Sequence, residues 1–70
     1  MNEKNRGLTP REREILAWIA QGKSALEIGT ILCIAKRTVD EHAQNAARKL
    51  GAANRTHAVA LALTQGIIRF

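Results

Sequence analysis

The stretch Ala35 to Leu50, AKRTVDEHAQNAARKL, constrains the fold of this chain more than any other. Its apolar residues Val39, Ala43, Ala46, Ala47 and Leu50 recur at i, i+4, i+7, i+8 and i+11. At about 100° per residue they form one stripe along a helix. The opposite side reads Arg37, Glu41, Gln44 and Arg48. Any fold that contains this segment must bury one face of a long helix and leave the other in water. The outward residues are of the types that hydrogen-bond base edges and phosphates, and a helix of this kind fits a B-DNA major groove.

The rest of the chain supplies helices to pack against that stripe. Thr9-Pro10-Arg11-Glu12 is a helix start, with Thr9 as cap, Pro10 in the first helical position and Glu12 completing a capping box. Ile15, Leu16 and Ile19 give this first helix its apolar face, and Gly22 closes it. Ser24-Ala25-Leu26-Glu27 repeats the capping box and opens a short second helix, with Ile28, Ile31 and Leu32 as its expected stripe. Gly29 lies inside this helix, where glycine costs roughly 1 kcal/mol against alanine, so a close contact that admits only the smallest side chain is expected. Gly51 ends the third helix.

Thr56 is the expected cap of a fourth helix over His57 to Gln65, stopped by Gly66, with Ile67 and Ile68 packing back. Val59, Ala62 and Leu63 share one face of it. Leu61 points the other way, and a second apolar face on a short surface helix is a candidate partner interface. Met1 to Gly7 is polar, lacks periodicity and reads as a flexible lead-in or linker, leaving residues 8–70 as one all-α, four-helix domain.

Composition narrows the function. With 70 residues the chain makes at most one small domain, near the size at which a single core is only marginally sufficient without a partner. Eleven Lys and Arg against six Asp and Glu leave a formal charge of +5, which favours a polyanionic partner. The single cysteine, Cys33, rules out an internal disulfide and a cysteine-based zinc cluster, and a reducing cytoplasm is the expected location. No run is apolar enough for a membrane span or a signal peptide. His42, His57 and Cys33 show no metal-ligand spacing, nucleophile signature or phosphate-cradling glycine loop, so an enzyme and a bound cofactor are not expected.

The second and third helices, joined by Cys33, Ile34 and Ala35, have the form of a helix-turn-helix. A generic pair of antiparallel helices would explain the apolar residues equally well, but accounts less readily for the polar outer face. The segments LTPREREIL, GKSALEIGTIL, RTVDEHAQNAARKLG and NRTHAVALALTQGII, in that order and spacing, resemble the DNA-binding module of the LuxR family of bacterial transcription regulators, from Leu8 to Ile68. Trp18, the GKS context and the RTVxxHxxNxxRKL run are most similar to the acyl-homoserine-lactone quorum-sensing regulators.

That resemblance implies that the third helix enters the major groove of double-stranded DNA. Lys36, Arg37 and Thr38 near its start, and Arg48 and Lys49 near its end, would meet backbone phosphates, and Arg55 belongs to the same basic cluster. It implies a homodimer through the fourth helix, at His57, Leu61 and Thr64, on an inverted-repeat promoter site and in contact with RNA polymerase. The sequence departs from the family at Cys33, where members commonly have Gly, and at Ala35, where Ser usually caps the recognition helix. A stand-alone module acting by protein association, or the output domain of a two-component response regulator, is the alternative.

Asp40 and Glu41 are the unusual feature, two carboxylates on a helix that should approach phosphates. Both stand within one turn of Arg37, which allows an intrahelical ion pair worth a few tenths of a kcal/mol. They also allow base reading, with Asp40 or Glu41 accepting from a cytosine N4 amino group and Gln44 reading adenine. Both readings stand on the sequence alone.

Overall fold

In the computed structural model, which describes residues 7–69, the chain forms α1 (Pro10–Ala20), α2 (Ala25–Leu32), α3 (Lys36–Leu50) and α4 (Arg55–Thr64). No strand occurs among the described residues. Met1 to Arg6 of the expected lead-in lie outside them.

Both capping boxes form. Thr9 Oγ1 accepts from the Glu12 N–H at 3.1 Å while Glu12 Oε1 accepts from the Thr9 N–H at 3.0 Å. Ser24 and Glu27 make the same exchange at 3.1 and 2.8 Å. Each box satisfies two amide groups that the helix itself leaves without partners. The cap of α4 differs from expectation. Asn54, not Thr56, holds that position, its Oδ1 accepting from the His57 N–H at 2.8 Å. Asparagine is the stronger capping residue, and the helix starts early enough to use it.

The spine of the domain is α3, which packs against all three other helices. Val39, Ala43, Ala46, Ala47 and Leu50 are all buried, as the periodicity requires. They feed two clusters. Val39 and Ala43 meet Ile15, Ala25 and Ile28 at one end. Ala46, Ala47 and Leu50 meet Leu8, Leu16, Ala58, Ala62, Ile67 and Ile68 at the other. The largest fully buried side chains are Ile15, Leu16, Ile28 and Val39, and burial of each stabilises the fold by about 1.5–3 kcal/mol.

Two stripes are rotated from their expected positions. In α2 the inward residues are Ala25, Ile28 and Gly29, while Ile31 is 44% exposed and Leu32 half-buried. The spacing is the expected one moved back by three residues, because the close contact at Gly29 fixes which side of α2 faces α3. In α4 the inward residues are Ala58 and Ala62. Their small side chains let α4 lie close to α3, and Val59, Leu61 and Leu63 pack partly buried around them. Leu61 therefore does not point wholly away from the core. Ile67 and Ile68 fold back as expected, both amides donating to the Ala62 carbonyl.

The turn between α2 and α3 is tight. A Cβ placed on Gly29 would lie 2.6 Å from the Ile34 carbonyl oxygen, and the Ile34 N–H donates to the Gly29 carbonyl at 2.9 Å. Cys33 closes α2 in the left-handed conformation, φ 59° and ψ 42°, which is costly for any residue with a Cβ. Ala35 occupies the cap of α3 with no side-chain hydrogen bond, so that helix begins without the device that starts the other three. Both features leave stability unrealised. Cys33→Gly is expected to raise stability by about 0.5–1 kcal/mol and Ala35→Ser by about 1 kcal/mol. In thermal melts of a domain this size, each 1 kcal/mol corresponds to roughly 4–8 °C. A melting temperature unchanged by Ala35→Ser would show that water already satisfies the first turn of α3.

Candidate nucleic-acid interface

The buried stripe of α3 fixes what its other side presents. Arg37 is 89% exposed and Glu41 60% exposed at the side chain, paired across one turn at 3.7 Å. Gln44 and Arg48 continue the same face, both exposed, and Arg48 Nη1 donates to Asn45 Oδ1 at 2.9 Å. The Arg37–Glu41 pair is the intrahelical contact that the spacing allows. At this exposure it stabilises little and leaves both groups available to a partner.

Asp40 pairs differently from expectation. Its Oδ2 accepts from Lys36 Nζ at 2.9 Å and its Oδ1 from an Arg55 guanidinium nitrogen at 3.1 Å, and Arg37 takes no part. Lys36 stands a full turn before Asp40, the better helical spacing, and Arg55 reaches it from the first residue of α4. Those bonds, from Lys36 first and Arg55 second, hold the Asp40 carboxyl below the usual aspartate range. Beside them an open cleft of about 680 Å³ runs between α3, at Asp40, Gln44 and Arg48, and the start of α4, at Asn54 and Arg55.

Lys49, grouped by its position with the phosphate contacts, has a partner inside the protein. Its Nζ donates at 2.9 Å to Glu12 Oε1, on a residue only 3% exposed. Burial pushes the Glu12 carboxyl up. The bonds from Lys49 and from the Thr9 amide, with the charges of Lys49 and His42, outweigh that and hold it below the ordinary glutamate range. Glu12 thus serves two structures, the cap of α1 and the α1–α3 contact, and 37 residues of sequence separate it from Lys49.

Thr38 lies in the first turn of α3, half-buried, its N–H donating to the Ala35 carbonyl at 3.0 Å. His57, Leu61 and Thr64 fall on one side of α4. His57 is exposed and its Nδ1 accepts from the Ala53 N–H at 3.0 Å. Thr64 is exposed and donates to the Ala60 carbonyl at 2.8 Å. Cys33 is a free, exposed thiol. No cluster of His, Cys, Asp or Glu that could hold a metal occurs among the described residues, and no described helix is long and apolar enough to cross a membrane.

A short helix and a longer one at a tight turn, the second buried along one side and charged along the other, define a helix-turn-helix DNA-binding domain. The chain belongs to the luxR family of bacterial regulatory proteins, whose GerE family model matches residues 6–62. The transcriptional activator protein BjaR1 of Bradyrhizobium diazoefficiens is 67% identical over 61 residues, 87% of this chain and 25% of that protein. The HTH-type quorum sensing-dependent transcriptional regulator RpaR of Rhodopseudomonas palustris is 69% identical over 62 residues, 89% of this chain and 26% of that protein. The chain therefore spans about a quarter of the length of these relatives. The solved structure of the transcription factor GerE matches the fold at a TM-score of 0.84 and 35% identity, covering 89% of this chain and 92% of that one. This is a family of DNA-binding regulators, not of enzymes.

The Glu12–Lys49 pair sets a pH dependence of stability. A carboxyl whose folded pKa is lowered binds protons more readily when the chain is unfolded. Its contribution is therefore complete above the unfolded value, about 4.3, and is lost as pH falls through the folded one. Lys49→Met removes the main groups that offset burial, so it is expected to cost about 2 kcal/mol at pH 7 and to narrow that difference at pH 3. Urea denaturation at both pH values measures this. An equal deficit at pH 7 and pH 3 would show that the deficit does not come from the charge of the Glu12–Lys49 pair.

Proposed function

We propose that this chain is the DNA-binding output domain of a quorum-sensing transcription regulator that acts in the bacterial cytoplasm. It binds an inverted-repeat promoter site as a dimer, with α3 in the major groove of each half-site. The observation that carries this reading is the division of α3 into a fully buried apolar side and an exposed side of Arg37, Glu41, Gln44 and Arg48. Such a face meets base edges with its amide and carboxylate, and phosphates with its cations. The similarity to RpaR, a quorum sensing-dependent regulator, supports the choice of signal class. The similarity to BjaR1, a transcriptional activator, supports a role in activating transcription, for which contact with RNA polymerase is the proposed route.

On this reading Glu41 accepts from a cytosine N4 amino group and Gln44 pairs with adenine. Both are exposed and project from the middle of α3. Lys36, Arg37, Thr38, Arg48 and Arg55 line the approach of the backbone strands at the two ends of the helix. Lys49 stands behind them on Glu12 and acts on DNA mainly by keeping α3 in place. His57, Leu61 and Thr64 of α4 face the second copy, leaving two α3 helices at the spacing of successive major grooves.

Selection from a random duplex pool tests the base readers. Wild type is expected to enrich an inverted repeat, and Glu41→Ala or Gln44→Ala to relax the preference at one position per half-site by about 1–3 kcal/mol. Arg48→Ala should bind every sequence more weakly, with a salt slope shallower by about one unit. Thr64→Arg, at an exposed position, should reduce occupancy of the full repeat far more than of a single half-site. A wild type that enriches no sequence yet still pairs with full-length relatives would favour a protein-association module.

A further inference from the structure

We propose that Asp40 is a positioning residue for DNA phosphate contacts, holding Lys36 on one side and Arg55, at the wall of the cleft, on the other, and is not itself a reader of bases. The inference rests on the reading of α3 as the element that meets DNA. It assigns to Asp40 a role that neither periodicity nor family membership gives it.

The geometry is specific to this residue. Lys36 is at the first turn of α3 and Arg55 is the first residue of α4, so their charged groups come from different elements. Each of the two Asp40 oxygens accepts from one of them, at 2.9 and 3.1 Å. Among the described residues the Asp40–Arg55 contact is the one ion pair that joins α3 to α4. The two neighbouring elements otherwise meet through apolar side chains, Ala46, Ala47 and Leu50 of α3 with Ala58 and Ala62 of α4, which cannot fix the direction of a guanidinium.

Exposure separates Asp40 from Glu41. The Asp40 side chain is 35% exposed and engaged at both oxygens, whereas Glu41 is longer, 60% exposed and held by one distant contact. A carboxylate that must accept from a base edge has to reach beyond the helix surface, and Glu41 meets that requirement better. Asp40 instead lies between two cations. Its charge is offset by both, and the trio keeps a net single positive charge, so a phosphate meets attraction at this spot. Lys36 and Arg55 lower the Asp40 pKa further below the usual aspartate range, and the side chain is ionised at neutral pH.

Long basic side chains lose rotamer freedom when they engage a phosphate, and a contact made in advance lessens that loss on binding. Asp40 fixes Arg55 at the wall of the cleft lined also by Gln44 and Arg48. A backbone strand entering there meets cations already placed. Without Asp40 the same charges remain but their positions spread, so total charge rises while specific affinity falls. That opposition of signs distinguishes positioning from simple electrostatics.

A double-mutant cycle on the selected duplex tests the proposal, with Asp40→Ala, Arg55→Ala and the double variant measured by equilibrium titration. Asp40→Ala is expected to weaken binding about fivefold to tenfold and leave the selected sequence unchanged. Arg55→Ala should weaken it about tenfold, and the double variant should be close to Arg55→Ala alone, because the two residues act as one unit. Asp40→Glu, which can still span the two cations, should recover part of the loss. Circular dichroism melts confirm that each variant is folded, and Asp40→Asn replaces Asp40→Ala if the latter unfolds. A changed base preference in Asp40→Ala overturns the proposal in favour of base reading. Tighter binding by Asp40→Ala overturns it in favour of plain charge repulsion, and losses that multiply with those of Arg55→Ala overturn it in favour of independent contributions. If wild type itself selects no duplex, the DNA reading fails and this proposal fails with it, a result distinguishable because it appears before any variant is made.

Discussion

The approach of Gly29 to the Ile34 carbonyl is the contact on which the rest of the structure depends. Two backbones meet there with no room for a side chain between them, since a Cβ at Gly29 would stand 2.6 Å from that oxygen. The contact fixes the angle at which α3 leaves the turn. That angle decides which side of α3 is buried against α1, α2 and α4, and so which residues remain outside. Leu32 and Ile34 pack beside Val39 and Ala43 at this corner, so the turn is braced by the core it helps to orient. Cys33 accepts a left-handed backbone to complete the same turn. The chain tolerates local strain there because the packing around it determines the geometry more strongly than any single residue.

Charge in this domain does two kinds of work at two depths. Glu12 and Lys49 bind beneath the surface, tying the start of α1 to the end of α3. Lys36, Asp40 and Arg55 bind at the surface, tying the start of α3 to the start of α4. Both links fasten α3 to a neighbour, near opposite ends of the helix. Between them Arg37, Glu41, Gln44 and Arg48 carry only weak local contacts and remain available. The net charge of +5 is therefore unevenly engaged, with Arg37 and Arg48 on the outer face of α3 held only by contacts within their own helix.

Local signals were legible in the sequence and distant pairings were not. Both capping boxes, the buried stripe of α3, the role of Gly29 and the return of Ile67 and Ile68 all follow from residues within a turn or two of one another. Asn54 was open to the same reasoning, since a good capping residue stands three positions before His57, but Thr56 lies nearer the apolar run and draws the boundary inward. The Asp40–Arg55 and Glu12–Lys49 bonds join residues that only the folded chain brings together, and nothing in their spacing announces them. The outward position of Ile31 was hidden for a related reason. An eight-residue helix rich in aliphatic side chains has several possible inward faces, and the Gly29 contact selects one.

The central claim is that the outer side of α3 is the surface that meets DNA. Backbone amide chemical shifts followed while a selected duplex is added test it most directly, because they report every element at once in the unaltered chain. The largest changes are expected along α3 from Lys36 to Arg48 and at Arg55, with the inward residues of α1 little affected. Changes confined to His57 through Thr64 of α4, with the face of Arg37, Glu41 and Gln44 unmoved, would contradict it.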